Sequence, residues 1–176
     1  EARKWTERAR EALEGQQGLD VERLMASTTA WYATVLQAQG RSDEALQWAE
    51  RATREAEDVD DPEELGNAYG VMAWATGALG KEGAEALMLK ALDGFGRSGN
   101  RVRRALILSN VGGVCYWEGR WDDAMSYYER GRDESVKVGS AVNAATASMN
   151  IAEILTDRGE HTEAEATLQK TLPVWK

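Results

Sequence analysis

Several things are scarce in this chain of 176 residues: it has one cysteine, one histidine, one phenylalanine and two prolines. A single cysteine excludes an intrachain disulfide and suits a reducing compartment, so a cytoplasmic setting is expected. One cysteine and one histidine are too few for a zinc site, and no metal or cofactor is expected. No run of about 18 uncharged apolar residues occurs, which excludes a membrane-spanning helix. Acids outnumber Lys and Arg by 30 to 21, for a net charge of −9. Nucleic-acid contact needs clustered basic residues, so none is expected. The one dense basic run, RVRR at 101–104, falls at an expected helix start and reads as a solvated face. GxxxxGK[ST], GxSxG and HExxH are all missing, and no catalytic constellation is expected in their place. The chain opens EARKWTERAR, with neither an initiator Met nor a signal-peptide core, and reads as a segment of a longer protein.

Ala, Leu, Glu and Arg are abundant, and β-branched residues are few and scattered, so the expected class is all-α. One layout recurs: Gly40-Arg-Ser-Asp-Glu-Ala45, Gly80-Lys-Glu-Gly-Ala84, Gly119-Arg-Trp-Asp-Asp-Ala124 and Gly159-Glu-His-Thr-Glu-Ala164. The glycines stand 40, 39 and 40 residues apart, and a small or polar residue follows each alanine after seven places: Ala52, Ala91, Gly131, Thr171. Self-similarity at such a period marks a solenoid of stacked helix pairs. Eight places before each glycine stand Tyr32, Met72, Val111 and Ile151. Seven places before stand Ala33, Ala73, Gly112 and Ala152, and four before stand Leu36, Thr76, Cys115 and Leu155. Positions 4, 7 and 8 share one helical face, which is therefore the expected packing stripe.

A second helix follows each glycine. WAERA at 48–52 recurs as WTERA at 5–9, so the chain is expected to begin inside a second helix. Nine helices result: a half-repeat at 1–15 and pairs at about 20–57, 62–96, 100–138 and 140–175 of one repeat domain. Asp61-Pro62 has the form of a cap followed by the first helical residue, and Asn100 and Ser140 follow glycines as caps should. Thr162 and Glu165 have capping-box spacing. The second pair, with Gly70, Gly77 and Gly83, is expected to be the least regular.

NVGGVCYWEGRWDDAMSYYERG at 110–131 and NIAEILTDRGEHTEAEATLQKTL at 150–172, with weaker copies at 31–52 and 71–92, resemble tetratricopeptide (TPR) repeats. The period is longer than usual, and is similar to that of arrays in kinesin light chains and in large bacterial regulators of the LuxR, signalling-ATPase and nucleotide-cyclase kinds. The resemblance implies a right-handed α-solenoid of antiparallel helix pairs, acting as a non-enzymatic scaffold that binds a protein or peptide segment within such a regulator.

The first helices should line a concave face, with the residues opposite the core stripe free for a partner. Thr34, Gln37, Asn67, Trp74, Asn110, Tyr116, Trp117, Asn150, Glu153 and Asp157 form the expected groove. Trp and Tyr supply apolar area and Asn both donates and accepts, which suits an extended peptide. Asn110 and Asn150 occupy equivalent places; the resemblance implies that they grip a ligand backbone, and bridging neighbouring helices is the other role open to them. Glu153 and Asp157 favour a basic ligand. Cys115, on the core stripe, reads as a buried thiol, and His161 as a packing residue in the place of Trp121. DVDDPEE at 58–64 lacks the ligand spacing of a calcium loop and is accounted for as a helix start. A small-molecule sensor is an alternative, as is a self-association module pairing through repeat ends or a face bearing Trp5 and Trp48.

Overall fold

The computed structural model describes residues 2–13 and 15–175, and the chain divides into two compact units, residues 1–99 and 100–176. The first holds α1 (Ala2–Leu13), α2 (Leu19–Ala38), α3 (Ser42–Asp58), α4 (Pro62–Ala78) and α5 (Ala84–Ser98). The second holds α6 (Arg101–Trp117), α7 (Trp121–Lys137), α8 (Ala141–Asp157), α9 (His161–Gln169) and a 3₁₀ turn, Leu172–Trp175. Within each unit successive helices pack as antiparallel neighbours, and the first helices also touch, α2 with α4 and α6 with α8. Among the described residues there are nine α-helices and no strand.

The recurring glycine is where each pair turns. Gly40, Gly80, Gly119 and Gly159 have φ of 73°, 66°, 75° and 80°, in the left-handed region where a Cβ is strained. At the first of them Gly40 N–H donates to the Gln37 carbonyl and Arg41 N–H to the Leu36 carbonyl, both at 3.0 Å. The same two bonds close the other three turns onto Thr76, Cys115 and Leu155. This is the Schellman closure, which satisfies carbonyls that a helix end leaves free. Its acceptors are the stripe residues four places before each glycine, and all four are buried. After α3 the left-handed place is taken by Asp60, at φ 46°, whose carboxylate accepts from Arg97 Nη2 of α5 at 3.0 Å.

Capping follows the sequence in two places. Asp61 accepts from the N–H groups of Glu63 and Glu64, with Pro62 as the first helical residue, and Asn100 accepts from Arg103 N–H. Thr162 is a correction. The closure onto Leu155 starts α9 at His161, so Thr162 lies inside the helix and no side chain caps it. His161 is exposed at that first turn and has no packing role. The RVRR run lies at the surface as expected, with Arg101 and Arg104 pairing there with Glu134 of α7 at 3.3 and 3.5 Å. In the second pair Gly83, at φ 96°, adds a further turn and delays α5 to Ala84, shortening it to 15 residues.

The core is built from small residues. In the first unit Tyr32, Ala33 and Leu36 of α2 meet Ala45 and Ala49 of α3 and Val71 and Ala75 of α4. Ala26, Ala56 and Leu65 form a second layer, and Ala30, Ala52 and Ala68 a third. Backbones come closest where α5 crosses α4: a Cβ on Gly94 would lie 2.7 Å from the Pro62 carbonyl oxygen and 2.8 Å from Gly66 N. In the second unit a Cβ on Gly112 would meet the Tyr128 ring at 2.9 Å, so that glycine is the seat of a tyrosine. Cys115 is fully buried beside it.

A polar knot lies among α1, α2 and α3. The buried Arg10 guanidinium donates to Thr29 Oγ1 and to both oxygens of Glu55, at 3.0 Å for Nη2, while Arg51 Nε reaches Glu55 at 2.8 Å. Trp48 stands edge-on to Tyr32, ring centroids 4.7 Å apart, and the Arg10 and Arg51 guanidinium carbons lie 5.8 and 5.5 Å from its centroid. Burial pushes the Glu55 carboxyl up, but hydrogen bonds from Arg10, Thr29 and Arg51 and the Arg10 charge outweigh it and hold it below its ordinary value.

Two glycines of one helix should respond oppositely to alanine. Gly94→Ala forces backbones apart and is expected to lower stability by about 2 kcal/mol or more. Gly96→Ala, with nothing near its Cβ, is expected to raise it by roughly 0.5 kcal/mol. Denaturant melts of the two variants check both signs. Because Glu55 titrates lower folded than unfolded, its contribution is complete above the unfolded value and is lost as pH falls through the folded one. Glu55→Gln is therefore expected to cost about 2 kcal/mol at neutral pH and to flatten the acid limb of the stability profile, read from urea midpoints across pH.

Candidate functional site

The expected groove residues of both units range from exposed to half-buried. On α2, Trp31 is 65% exposed, and Thr34 is exposed with its hydroxyl returned to the Ala30 carbonyl at 3.0 Å. Gln37 is half-buried, and its Oε1 is sealed from solvent without a donor. On the adjoining α4, Asn67 donates within its own helix to Glu64 Oε2 at 3.1 Å, and Trp74 is 50% exposed. These four expected groove residues thus stand on two neighbouring helices, two of them already engaged locally.

The second unit brings its residues closer together. Tyr116 Oη on α6 donates to Asp157 Oδ2 on α8 at 2.6 Å, and the Tyr116 and Trp117 rings meet edge-on with centroids 5.5 Å apart. The hydrogen bond to Asp157 leads in pushing the Tyr116 hydroxyl up to about 12, joined by desolvation and the charges of Glu153 and Asp157. Tyr128, under Gly112, also rises to about 12, mainly by burial, with Glu153 adding to it. Trp117 is 86% exposed. Glu153 and Asp157 form no ion pair among the described residues, because the adjacent Arg158 turns away to Asp122 at 2.6 Å. Asn110 and Asn150 are half-buried, and neither amide makes a hydrogen bond among the described residues. The helix-bridging role open to them in the sequence is not seen.

Three concavities escaped the sequence reading, since each needs residues far apart in the chain. One of about 470 Å³ lies between α8, α9 and the 3₁₀ turn, lined by Thr146, Met149, Asn150, Leu168, Thr171, Leu172 and Trp175. One of about 500 Å³ lies where α1 meets α2 and α3 ends, among Leu13, Val21, Met25, Val59, Glu22 and Asp58. A shallower one lies between Trp5 and Trp31. Trp5 is 67% exposed, whereas its counterpart Trp48 is half-buried between arginines, so the two do not form one open face. Among the described residues no helix is long and apolar enough to cross a membrane, and no group of three or more His, Cys, Asp or Glu is placed to hold a metal.

Residues 103–176 match the family model described as tetratricopeptide repeat. No curated protein matches the sequence. Solved structures do. BtubC (BKLC) from P. vanneervenii superposes with a TM-score of 0.80 at 21% identity, over 98% of this chain and 70% of that one. A Signal Transduction ATPase with Numerous Domains (STAND) protein with a tetratricopeptide repeat sensor, from Pyrococcus horikoshii, gives 0.76 at 17% identity, over 93% of this chain and 25% of that one. Aspartyl phosphate phosphatase F from Bacillus subtilis gives 0.70 at 15% identity, over 98% and 54%. The chain spans a quarter of the ATPase and about half of the phosphatase; at these identities the fold is what is shared.

The two high tyrosines should separate on mutation. Asp157→Asn is expected to bring the Tyr116 ionisation from about 12 back toward 10.0, while Tyr128, held up chiefly by burial, stays near 12. Absorbance titration of wild type, Asp157→Asn and Tyr116→Phe identifies each transition.

Proposed function

We propose that the chain, whose residues 103–176 match the tetratricopeptide repeat model, is the interaction module of a larger bacterial, cytoplasmic regulator and holds a partner segment against its first helices. The fold is that of an interaction scaffold, and the STAND protein that shares it carries a tetratricopeptide repeat sensor. The observation carrying the reading is the pair Asn110 and Asn150. They stand at equivalent places one repeat apart, half-buried and without hydrogen-bond partners among the described residues. A carboxamide offers both donors and an acceptor, so each can take an N–H and a C=O of an extended backbone. Tyr116 and Trp117 supply apolar area beside them, with Glu153 and Asp157 at one end; Thr34, Gln37, Asn67 and Trp74 play the corresponding part in the first unit. The chain itself performs no catalysis in this reading. Occupancy changes how helix pairs pack, and that change is the output passed to another domain.

A small-molecule sensor is the second reading, favoured by the cavity of about 500 Å³ in the first unit, a size ordinary for ligand sites.

Random peptides selected on the chain separate the two. The Asn110→Ala, Asn150→Ala double variant is expected to weaken the selected peptides roughly 10- to 100-fold, about one to two net hydrogen bonds, with an unchanged thermal midpoint. Unchanged affinity in a folded double variant places the site elsewhere.

A further inference from the structure

Helix α8 carries two contrasting features on the face used by the proposed scaffold. Toward its C-terminal end Glu153 and Asp157 are exposed and form no ion pair among the described residues, Asp157 accepting from the neutral Tyr116 hydroxyl, whereas Asp122, Asp123, Asp133 and Glu134 of the same unit each have a basic partner. Tyr116 and the open ring of Trp117 stand beside them. Toward the N-terminal end Met149 and Asn150 form one wall of the cavity of about 470 Å³, opposite Leu168, Leu172 and Trp175, and among the described residues no ionisable side chain lines it. In a chain of net charge −9, one end of this face carries two acids without an ion-pair partner, and the other, among the described residues, is lined by none.

We infer that the second unit selects an extended partner segment bearing a basic residue and, three or four residues away, a bulky apolar one. The basic side chain lies between the Glu153 and Asp157 carboxylates and the Tyr116–Trp117 rings. Arginine fits better than lysine, because its plane stacks on a ring while its fork meets a carboxylate. The apolar side chain fills the cavity, and Asn150 holds the backbone between them. The spacing comes from the helix: Asp157 stands seven residues beyond Asn150, about 10.5 Å along the axis at 1.5 Å per residue, which an extended chain covers in about three to four residues of 3.3 Å. Charge disfavours a second copy as occupant, since it would bring another −9 to the same acids. This inference rests on the scaffold reading and adds a recognition pattern to it.

Fluorescein-labelled ten-residue peptides carrying one Arg and one Trp, separated by one to six positions, test it by anisotropy on the whole chain. Affinity is expected to peak at a separation of three or four and to fall at least 10-fold when Arg becomes Gln. Glu153→Gln with Asp157→Asn should abolish the Arg preference and keep the Trp preference; Leu172→Ser should do the reverse. These exposed positions leave the core intact, which thermal melts of each variant check. Affinity indifferent to separation and to Arg, yet lost in the Asn110→Ala, Asn150→Ala variant, overturns the pattern and leaves the scaffold standing. Failure of selected and designed peptides alike overturns both. Self-association in sedimentation that the peptides cannot displace assigns the face to a second copy and overturns the inference.

Discussion

Each first helix ends where the chain enters a left-handed residue, and the backbone carbonyl that closes the reversal belongs to a residue whose side chain is in the core. Leu36, Thr76, Cys115 and Leu155 each carry both duties, accepting the N–H beyond the glycine while packing inward. Turn position and core register therefore cannot drift apart, because a one-residue slip would break the closure and rotate the buried stripe by about 100°. The direction in which Tyr116, Trp117, Asn110 and Asn150 project follows from that lock. So does the meeting of Tyr116 with Asp157, which stand on successive first helices and come within 2.6 Å.

Small residues inside determine what remains outside. Layers such as Ala30–Ala52–Ala68 bring helix backbones close and leave little room for large rings. Trp31, Trp74 and Trp117 accordingly occupy the outer face, where a soluble protein ordinarily keeps few such groups exposed. Tyr128 fits inside only because Gly112 makes room for its ring. Trp48, half-buried against the core of the first unit, is held there by an edge contact with Tyr32 and by two guanidinium groups as well.

Local chemistry made most of the fold legible. Period, stripe and glycine turns all arise within one repeat, and the Asp61 and Asn100 caps each lie within three residues of the N–H groups they accept from. Thr162 misled because capping-box spacing is a local pattern, whereas the start of α9 is set by the closure onto Leu155. The delay of α5 to Ala84 was visible only as a missing residue in the second copy. Nothing local announced the Arg10–Thr29–Glu55 knot, whose members are 19 and 45 residues from Arg10. The meeting of Tyr116 and Asp157 was not announced by the period either: they are 41 residues apart, and the glycine register matches Asp157 with Trp117 instead. The cavity beside Asn150 required the 3₁₀ turn at Leu172–Trp175, which no repeat copy foreshadowed.

The turn closures also bear on how the molecule comes apart. Each is made of hydrogen bonds spanning six residues or fewer, so it needs no neighbouring pair to stay shut. Most packing joins helices adjacent in the chain, which keeps loop-closure entropy small and favours fast, local folding. Under tension such a chain yields pair by pair, each hairpin giving up its length as a separate step while those behind it hold.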